Sequence, residues 1–214
     1  MTVESGRTGQ AKRYLQHMIE FRYTGDELYA RMERAVERVT ERLRKTVEIL
    51  EASKVKYAIV GGHAVRAWVA QVDEAAVRNT RNVDVLIRPE DLPSVISAMS
   101  SAGFHYRQTS GLDMFVETPD ASARDAVHIV LAGEMVRADD VEANPDVEPI
   151  EVADGFQTLP LSGLVRMKLS SYRRKDQVHI LDMISLEMID ETWLGNLPPK
   201  LADRLKLLLD DPDG

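Results

Sequence analysis

Two short motifs in the first half of the chain contain residue types that bind and position phosphate groups. Gly61 and Gly62 follow the apolar run Tyr57–Val60 and precede apolar residues at helical spacing, a pattern that predicts a strand, a tight turn and a helix. Glycines at such a turn let a phosphate approach the backbone, and the helix that follows presents unpaired N–H groups. Because Gly-Gly is also common in ordinary turns, the pair predicts a phosphate site only together with other residues.

The second motif is Asn82-Val83-Asp84, in a run that predicts a strand from Asn82 to Ile87. Alternation along this strand places Asn82 and Asp84 on one face and the valines on the core face. A carboxylate displayed in this way is typical of a Mg²⁺ site that orients a triphosphate. We therefore predict catalytic and metal-binding roles for Asp84 and Asn82; the alternative is a solvent-facing aspartate on an edge strand.

Two histidines lie close to these motifs in the predicted fold. His128, in the strand-like run Val127–Leu131, is a candidate general base if it lies near Asp84; the alternative is a histidine held by hydrogen bonds between strands. His63 directly follows the glycines and either touches a bound phosphate or starts the helix. Two carboxylates on one face of the preceding strand, Asp113 and Glu117, are candidate replacement acids.

A transition-metal site is a third interpretation of these residue types. His63, His128, His179 and Asp84 include the ligands that Zn²⁺ or Mn²⁺ takes in hydrolases, but the chain lacks a short ligand spacing such as His-Glu-x-x-His. The chain has no cysteine, which excludes thiolate ligands, a cysteine nucleophile and a disulfide framework.

The strand, the glycine pair, the helix and the segment from Thr80 to Ile87 together resemble the signature of the minimal nucleotidyltransferase fold. The segment is similar to the AbiEii/AbiGii toxin-like bacterial nucleotidyltransferases, and the resemblance runs from about Tyr57 to Met183. In that family the glycine pair opens a phosphate-binding helix and an acid-x-acid pair binds metal. The resemblance implies phosphate binding by Gly61 and Gly62, with Asp84 as the second acid. We also predict His63, Thr80 and Arg81, which flank these residues, as nucleotide-binding candidates.

The C-terminal part also resembles the family, in a helix that contains a lysine, an arginine and a Lys-Asp pair. By match, the nucleotide-binding residues there are Lys168, Arg173, Lys175 and Asp176. Lys168, Tyr172, Lys175 and His179 fall on one face if the helix is unbroken near residue 174. Such a basic face would close over phosphates from the opposite side.

Two positions depart from the family pattern, and they leave two functions open. Asn82 stands at the first acid and His128 where a later acid often lies; asparagine brings no charge, and imidazole suits softer metals than Mg²⁺. One function is Mg²⁺-dependent transfer of a nucleotidyl group from an NTP to a hydroxyl on a protein, an RNA end or a small molecule. The alternative is a catalytically degenerate protein that binds nucleotide or a partner protein without turnover.

These motifs predict an α/β (α+β) protein with a mixed sheet flanked by helices, a long N-terminal helix and a C-terminal helical region. We predict a helical segment over residues 1–53 that packs on the core, an α/β core over 54–160 and a helical region over 161–214. An apolar stripe over residues 24–52 predicts one long helix, which either lies on the core or forms a homodimeric coiled coil. A short helix is predicted between Tyr14 and Phe21.

Composition limits the classes of partner. The chain is 44% hydrophobic and 29% charged, with a formal net charge of -8, so no broad field attracts long nucleic acid. No segment approaches the ~20 apolar residues of a membrane-spanning helix, and the N-terminus has no signal pattern. We expect a cytoplasmic protein with a nucleotide as its partner and no membrane; the AbiEii resemblance adds a possible toxin role and a cognate antitoxin.

Overall fold

The computed structural model describes residues 22–109, 111–152 and 156–212. The short helix predicted between Tyr14 and Phe21 lies outside these residues. The chain divides into two units, residues 1–38 and 39–214. The predicted division at residues 53 and 160 stays a prediction.

The described residues form seven strands and six α-helices, and the predicted strands and helices are confirmed to within a few residues. In chain order they are α1 (Gly25–Ser53), β1 (Tyr57–Val60), α2 (Gly61–Val69), β2 (Val83–Ile87), α3 (Leu92–Ser101), β3 (His105–Thr109), β4 (Leu112–Val116), β5 (Val127–Leu131), β6 (Ile150–Val152), β7 (Phe156–Thr158), α4 (Leu161–Ser171), α5 (Arg174–Ser185) and α6 (Pro199–Asp210). The short strand β6 lies in the long segment between β5 and β7.

The strands form one mixed sheet in the order β3-β4-β5-β2-β1-β7-β6. The central strand β2 is antiparallel to β1, with Val60 opposite Asp84, and parallel to β5, with Asp84 opposite His128. The predicted mixed sheet is confirmed. This register brings the end of β1 and the start of β5 to either side of one residue of β2.

One face of the sheet is covered by helices α1 and α3. Leu43 and Leu50 of α1 and Met99 of α3 are buried in a cluster with sheet residues such as Val85. This burial agrees with a long helix that packs on the core over its second half. In the first half of α1, Met32 is 58% exposed. The homodimer predicted through residues 24–52 stays a prediction.

The opposite face of the sheet meets the C-terminal helices. Leu86 is fully buried there, packed with Val60, Leu159 and Met167 of α4. Helices α2, α4, α5 and α6 share a separate apolar core. The predicted polar face of β2 is therefore apolar at Leu86, and the cleft described below opens between this face and the helices. Among the described residues, no helix has the length and apolar composition needed to cross a bilayer.

Candidate functional site

A cleft of about 1030 Å³ opens between the sheet and the C-terminal helices. Ten of the predicted site residues line it: Gly61, Gly62, Thr80, Arg81, Asn82, Asp84, His128, Lys168, Arg173 and Lys175. Two predicted site residues, His63 and Asp176, are buried and are not among the lining residues that the structure describes. We call Gly61, Asn82, Asp84 and His128 the strand wall, and Lys168, Arg173, Lys175 and His179 the helix wall.

Gly61 and Asp84 meet at the centre of the strand wall. Gly61 has a positive φ of +67°, and a Cβ at this position would overlap the Asp84 carboxylate. Glycine is therefore required both by the backbone and by the close approach. Gly62 is also tightly placed, because its Cβ would lie 2.7 Å from Thr80 Oγ1.

The Asp84 carboxylate is held by the two residues that depart from the family pattern. Asn82 Nδ2 donates to Asp84 Oδ1 at 2.6 Å, and His128 Nδ1 lies 3.2 Å from the same oxygen. Burial alone would raise the pKa of Asp84. The net shift is downward, because the hydrogen bond and charge of His128 and the charges of Lys168 and Lys175 favour the carboxylate. Asp84 is ionised, and its side chain is 18% exposed.

The imidazole of His128 is hydrogen-bonded through both nitrogens. Nε2 lies 2.8 Å from the Ala123 carbonyl oxygen, which only accepts, so this nitrogen carries a proton. Burial lowers the pKa of His128, but the hydrogen bond and negative charge of Asp84 outweigh it and raise the pKa. A general base needs a free lone pair that faces the substrate. His128 is engaged by Ala123 through Nε2 and lies beside Asp84 and Asn82 through Nδ1, so this geometry suits a residue that holds Asp84 better than it suits the predicted base.

Behind the helix wall, Asp176 binds several donors. Its carboxylate accepts from Lys168 Nζ at 2.9 Å, from Ser171 Oγ at 2.7 Å and from Arg173 Nε at 2.8 Å. Asp176 is fully buried; burial raises its pKa, but the charges and hydrogen bonds of Lys168 and its neighbours lower it well below the usual range. Asp176 therefore holds the lysine and arginine in place and does not face a ligand.

The helix is broken near residue 174, so the condition for a single basic helix face is not met. Tyr172 has a left-handed φ of 47° and ends α4, and α5 starts at Arg174. The Tyr172 hydroxyl donates to the Arg204 carbonyl, away from the cleft. Lys168, Lys175 and His179 nevertheless line the same cleft.

His63 lies behind the strand wall, in the first turn of α2. It is 2% exposed, and burial, with the charge of Arg66, lowers its pKa to about 4. Its Nε2 is buried and has no hydrogen-bond partner within the described part of the chain. A phosphate contact by His63, one of the two predicted alternatives, does not suit this placement.

The two candidate replacement acids lie on the other face of the sheet. Met114 is opposite His128 in the β4–β5 register, so Asp113, one residue earlier, points away from the cleft. Asp113 accepts from Tyr106 and Gln108, and Glu117 pairs with Arg42 of α1 at 2.7 Å. The sequence interpretation was wrong here because the β4 register, which decides the face, comes only from the pairing of strands.

The transition-metal interpretation is not supported within residues 22–109, 111–152 and 156–212. No group of three or more histidine, aspartate or glutamate side chains is arranged there to hold a metal ion. His63 is buried outside the cleft, and His179 is on the opposite wall from Asp84.

Sequence reasoning missed three arginines and one aromatic residue of the cleft. Arg124 is exposed at the cleft, in the turn before β5, and Arg137 and Arg166 also line it. The aromatic residue is Trp193. Nothing in the local sequence distinguishes these residues, because they reach the cleft through the arrangement of distant elements.

Solved structures that are similar to this chain include the following three. Two are of the antibiotic-resistance factor ANT(2'')-Ia. Its solution structure is 12% identical, covers 81% of this chain and 83% of that chain, and has a TM-score of 0.41. Its crystal structure with adenylyl-2''-tobramycin is 12% identical, with 80% and 87% coverage and a TM-score of 0.44. No protein-family model and no curated protein sequence matches the chain.

The third is the crystal structure of an antigenic nucleotidyltransferase-like protein from Paracoccidioides brasiliensis. It is 17% identical, covers 84% of this chain and 91% of that chain, and has a TM-score of 0.51. The chain has a nucleotidyltransferase-like fold. This fold assignment rests on the third structure and on the strand order of the sheet. Because the sequence identity is 17%, the similarity extends to the fold alone.

Proposed function

We propose that the cleft binds the triphosphate of a nucleotide. Helix α2 begins at Gly61 and has no side-chain cap, so its first N–H groups are available to an anion. Lys175 and Arg124 are exposed at the same cleft, and Lys168 is held toward it by Asp176. Glycine backbone and cations on facing walls are the groups that bind phosphate oxygens.

Of the two functions left open by the sequence, the geometry best supports nucleotide binding without turnover. The observation that carries this choice is that Asp84 Oδ1 is engaged by both Asn82 and His128. Two-metal phosphoryl transfer requires several carboxylates around the metals, and the strand wall provides one. Asn82 and His128, which stand where the family pattern has acids, add no carboxylate beside Asp84, so the residues present do not suit a resident metal pair.

Mg²⁺-dependent nucleotidyl transfer to a hydroxyl acceptor is the second candidate. It is favoured by the exposure of Asp84 at the cleft, next to the glycine backbone. Mg²⁺ is often bound by one carboxylate plus the phosphates of the substrate, and Asp84 with the Asn82 amide oxygen would then hold the ion. The ion neutralises the triphosphate when bound. Lys168 and Lys175 would orient the phosphates, whether the acceptor is a protein, an RNA end or a small molecule.

Label transfer separates the two candidates. The wild-type chain and the Asn82→Asp and Asp84→Ala variants are incubated with α-labelled NTPs and Mg²⁺, and binding is measured in parallel by calorimetry. We expect the wild type to bind NTP without transferring label, and Asn82→Asp to gain a second carboxylate and with it measurable transfer. Transfer by the wild type that disappears in Asp84→Ala would establish the second candidate instead, and failure to bind any NTP would reject both.

The partners and location implied by the AbiEii resemblance stay proposals. They are a toxin role, a cognate antitoxin, a homodimer through residues 24–52 and a cytoplasmic location. The nucleotide is the partner that the described cleft residues support directly.

A further inference from the structure

The cleft is larger than a triphosphate requires. Ligand pockets commonly enclose about 300–1000 Å³, and this cleft encloses about 1030 Å³. The groups proposed above to bind phosphate lie mainly on the strand and helix walls, and the cleft lining also includes Trp193, Asn196 and Leu197, which belong to neither wall. This end of the C-terminal region is available to another part of the ligand.

Trp193 gives this end of the cleft an aromatic surface. Of the residues that the structure describes around the cleft, Trp193 alone is a tryptophan, tyrosine or phenylalanine. It is half-buried, because it also packs on the apolar core of the C-terminal helices. An indole that packs on an apolar core and also lines a cleft is suited to stack on a planar ring.

The backbone around Trp193 is held in place by a capped turn. A 3-10 turn spans Glu191–Asn196, and Asp190 Oδ1 accepts from Thr192 N at 2.9 Å. Trp193 N donates to the Asp190 carbonyl at 3.2 Å, and Pro198 and Pro199 follow at the start of α6. A rigid aromatic side chain loses little entropy when a ring stacks on it.

Asn196, at the end of the same turn, is exposed and lines the cleft. Its amide provides one acceptor and two donors. Paired donor and acceptor groups match both edges of adenine, N6 with N7 and N6 with N1, whereas on guanine only the N1 edge matches and the N7 edge offers two adjacent acceptors, O6 and N7. Stacking and edge recognition are therefore available within four residues of the chain.

We propose that Trp193 and Asn196 form an adenine subsite, so that the nucleotide bound in the cleft is ATP. This inference rests on the proposed triphosphate site, because the phosphates must lie between the two walls for the base to reach Trp193. Trp193 stacks on the adenine ring, and Asn196 hydrogen-bonds its edge. The phosphate groups contribute affinity that is independent of the base, and this subsite adds specificity.

Calorimetry with ATP, GTP and inorganic triphosphate tests the subsite in the full-length chain. We expect ATP to bind at least about tenfold more tightly than inorganic triphosphate, because base stacking on an aromatic side chain has an effect of this order. Trp193→Leu keeps the apolar packing and removes the ring. This variant should bind ATP about tenfold more weakly and bind triphosphate as the wild type does. Trp193→Phe keeps a ring and should retain most of the ATP affinity.

Asn196→Ala tests the choice of base. It should reduce the preference for ATP over GTP with no change in triphosphate binding. Equal loss of ATP and triphosphate binding in Trp193→Leu, or no loss of either, would overturn the subsite. A wild type that binds triphosphate as tightly as ATP would also overturn the subsite, but it would leave the phosphate site in place. A wild type that binds neither compound would overturn both the phosphate site and the subsite.

Discussion

The two walls of the cleft each involve one aspartate, and the two carboxylates have opposite surroundings. Asp84 of the strand wall is 18% exposed and its Oδ1 is shared by an amide and an imidazole. Asp176, behind the helix wall, is fully buried and paired with Lys168 and Arg173. The same residue type can therefore face a ligand on one wall and hold the protein together on the other.

The two aspartates differ in role: one can contact a ligand, and the other positions neighbouring side chains. The family resemblance implies functional roles for both aspartates, but a fully buried carboxylate that already has several donors has no oxygen left for a nucleotide. Asp176 instead fixes Lys168 and Arg173 at the kink between α4 and α5. Substitutions on the helix wall should therefore change stability first, and those on the strand wall should change ligand binding first.

The largest effect is expected at Asp176. Asp176→Ala leaves the buried Lys168 ammonium without its counter-ion, and breaking a buried pair in this way costs about 3–5 kcal/mol in the free energy of unfolding. Asp84→Ala should cost clearly less, because Asp84 is partly exposed. Urea denaturation of both variants measures the difference. Asp210→Ala, which removes an exposed ion pair with Lys206, is the control and should behave as the wild type; equal losses for Asp176→Ala and Asp84→Ala would contradict the comparison.

A glycine substitution tests the close contact in the strand wall. Gly61→Ala adds a Cβ that overlaps the Asp84 carboxylate at a positive φ. We expect the free energy of unfolding to fall by about 2–4 kcal/mol, from backbone strain and overpacking together. We also expect nucleotide binding to be lost.

Gly133→Ala is the matched control for this contact. Gly133 also has a positive φ, of +74°, but a Cβ added there would meet no atom of a described, non-adjacent residue within 4 Å, so only the strain of about 1–2 kcal/mol is expected. Denaturation midpoints and NTP calorimetry measure both variants. If the two substitutions lower the free energy of unfolding equally, the close contact of residue 61 with Asp84 adds nothing to the effect of Gly61→Ala.

The next effect depends on pH and concerns His63. Because its pKa is lowered to about 4 in the folded protein, the unfolded chain takes up a proton first as pH falls below about 6.5. Stability is therefore lost between about pH 6.5 and 4, with about 2 kcal/mol lost by pH 5. Urea midpoints at pH 7 and pH 5 for the wild type and His63→Leu measure it. The variant should lose less stability on acidification, and equal losses would show that His63 is accessible to protons when folded.

The smallest effect is expected where the two walls are joined at the surface. Arg78, in the loop before β2, pairs with Asp182 of α5 at 2.6 Å, and its side chain is 61% exposed. Exposed ion pairs contribute less than about 1 kcal/mol and are screened by salt. Arg78→Ala should shift the denaturation midpoint slightly in ~0.1 M NaCl and not at all in ~1 M NaCl. A large shift that persists in high salt would mean that this pair, and not the buried core, holds the walls together.

Local sequence patterns determined the elements and the first half of the site. The glycine pair after an apolar run predicted the β1–α2 turn, and alternation predicted β2 with Asp84 off the core face. These predictions depend on periodicity and on glycine chemistry, which act over a few residues. The single basic face was conditional on an unbroken helix near residue 174, and the left-handed Tyr172 that breaks the helix has no sequence signal of its own.

The tertiary structure alone decided which polar residues meet. The pairing of β2 with β1 and β5 brings Gly61, Asp84 and His128 together, and the β4 register turns Asp113 to the opposite face. Strand register and helix packing are set by contacts between residues far apart in the chain, so the burial of Asp176 and the position of Trp193 at the cleft follow from the assembled fold and from no local pattern.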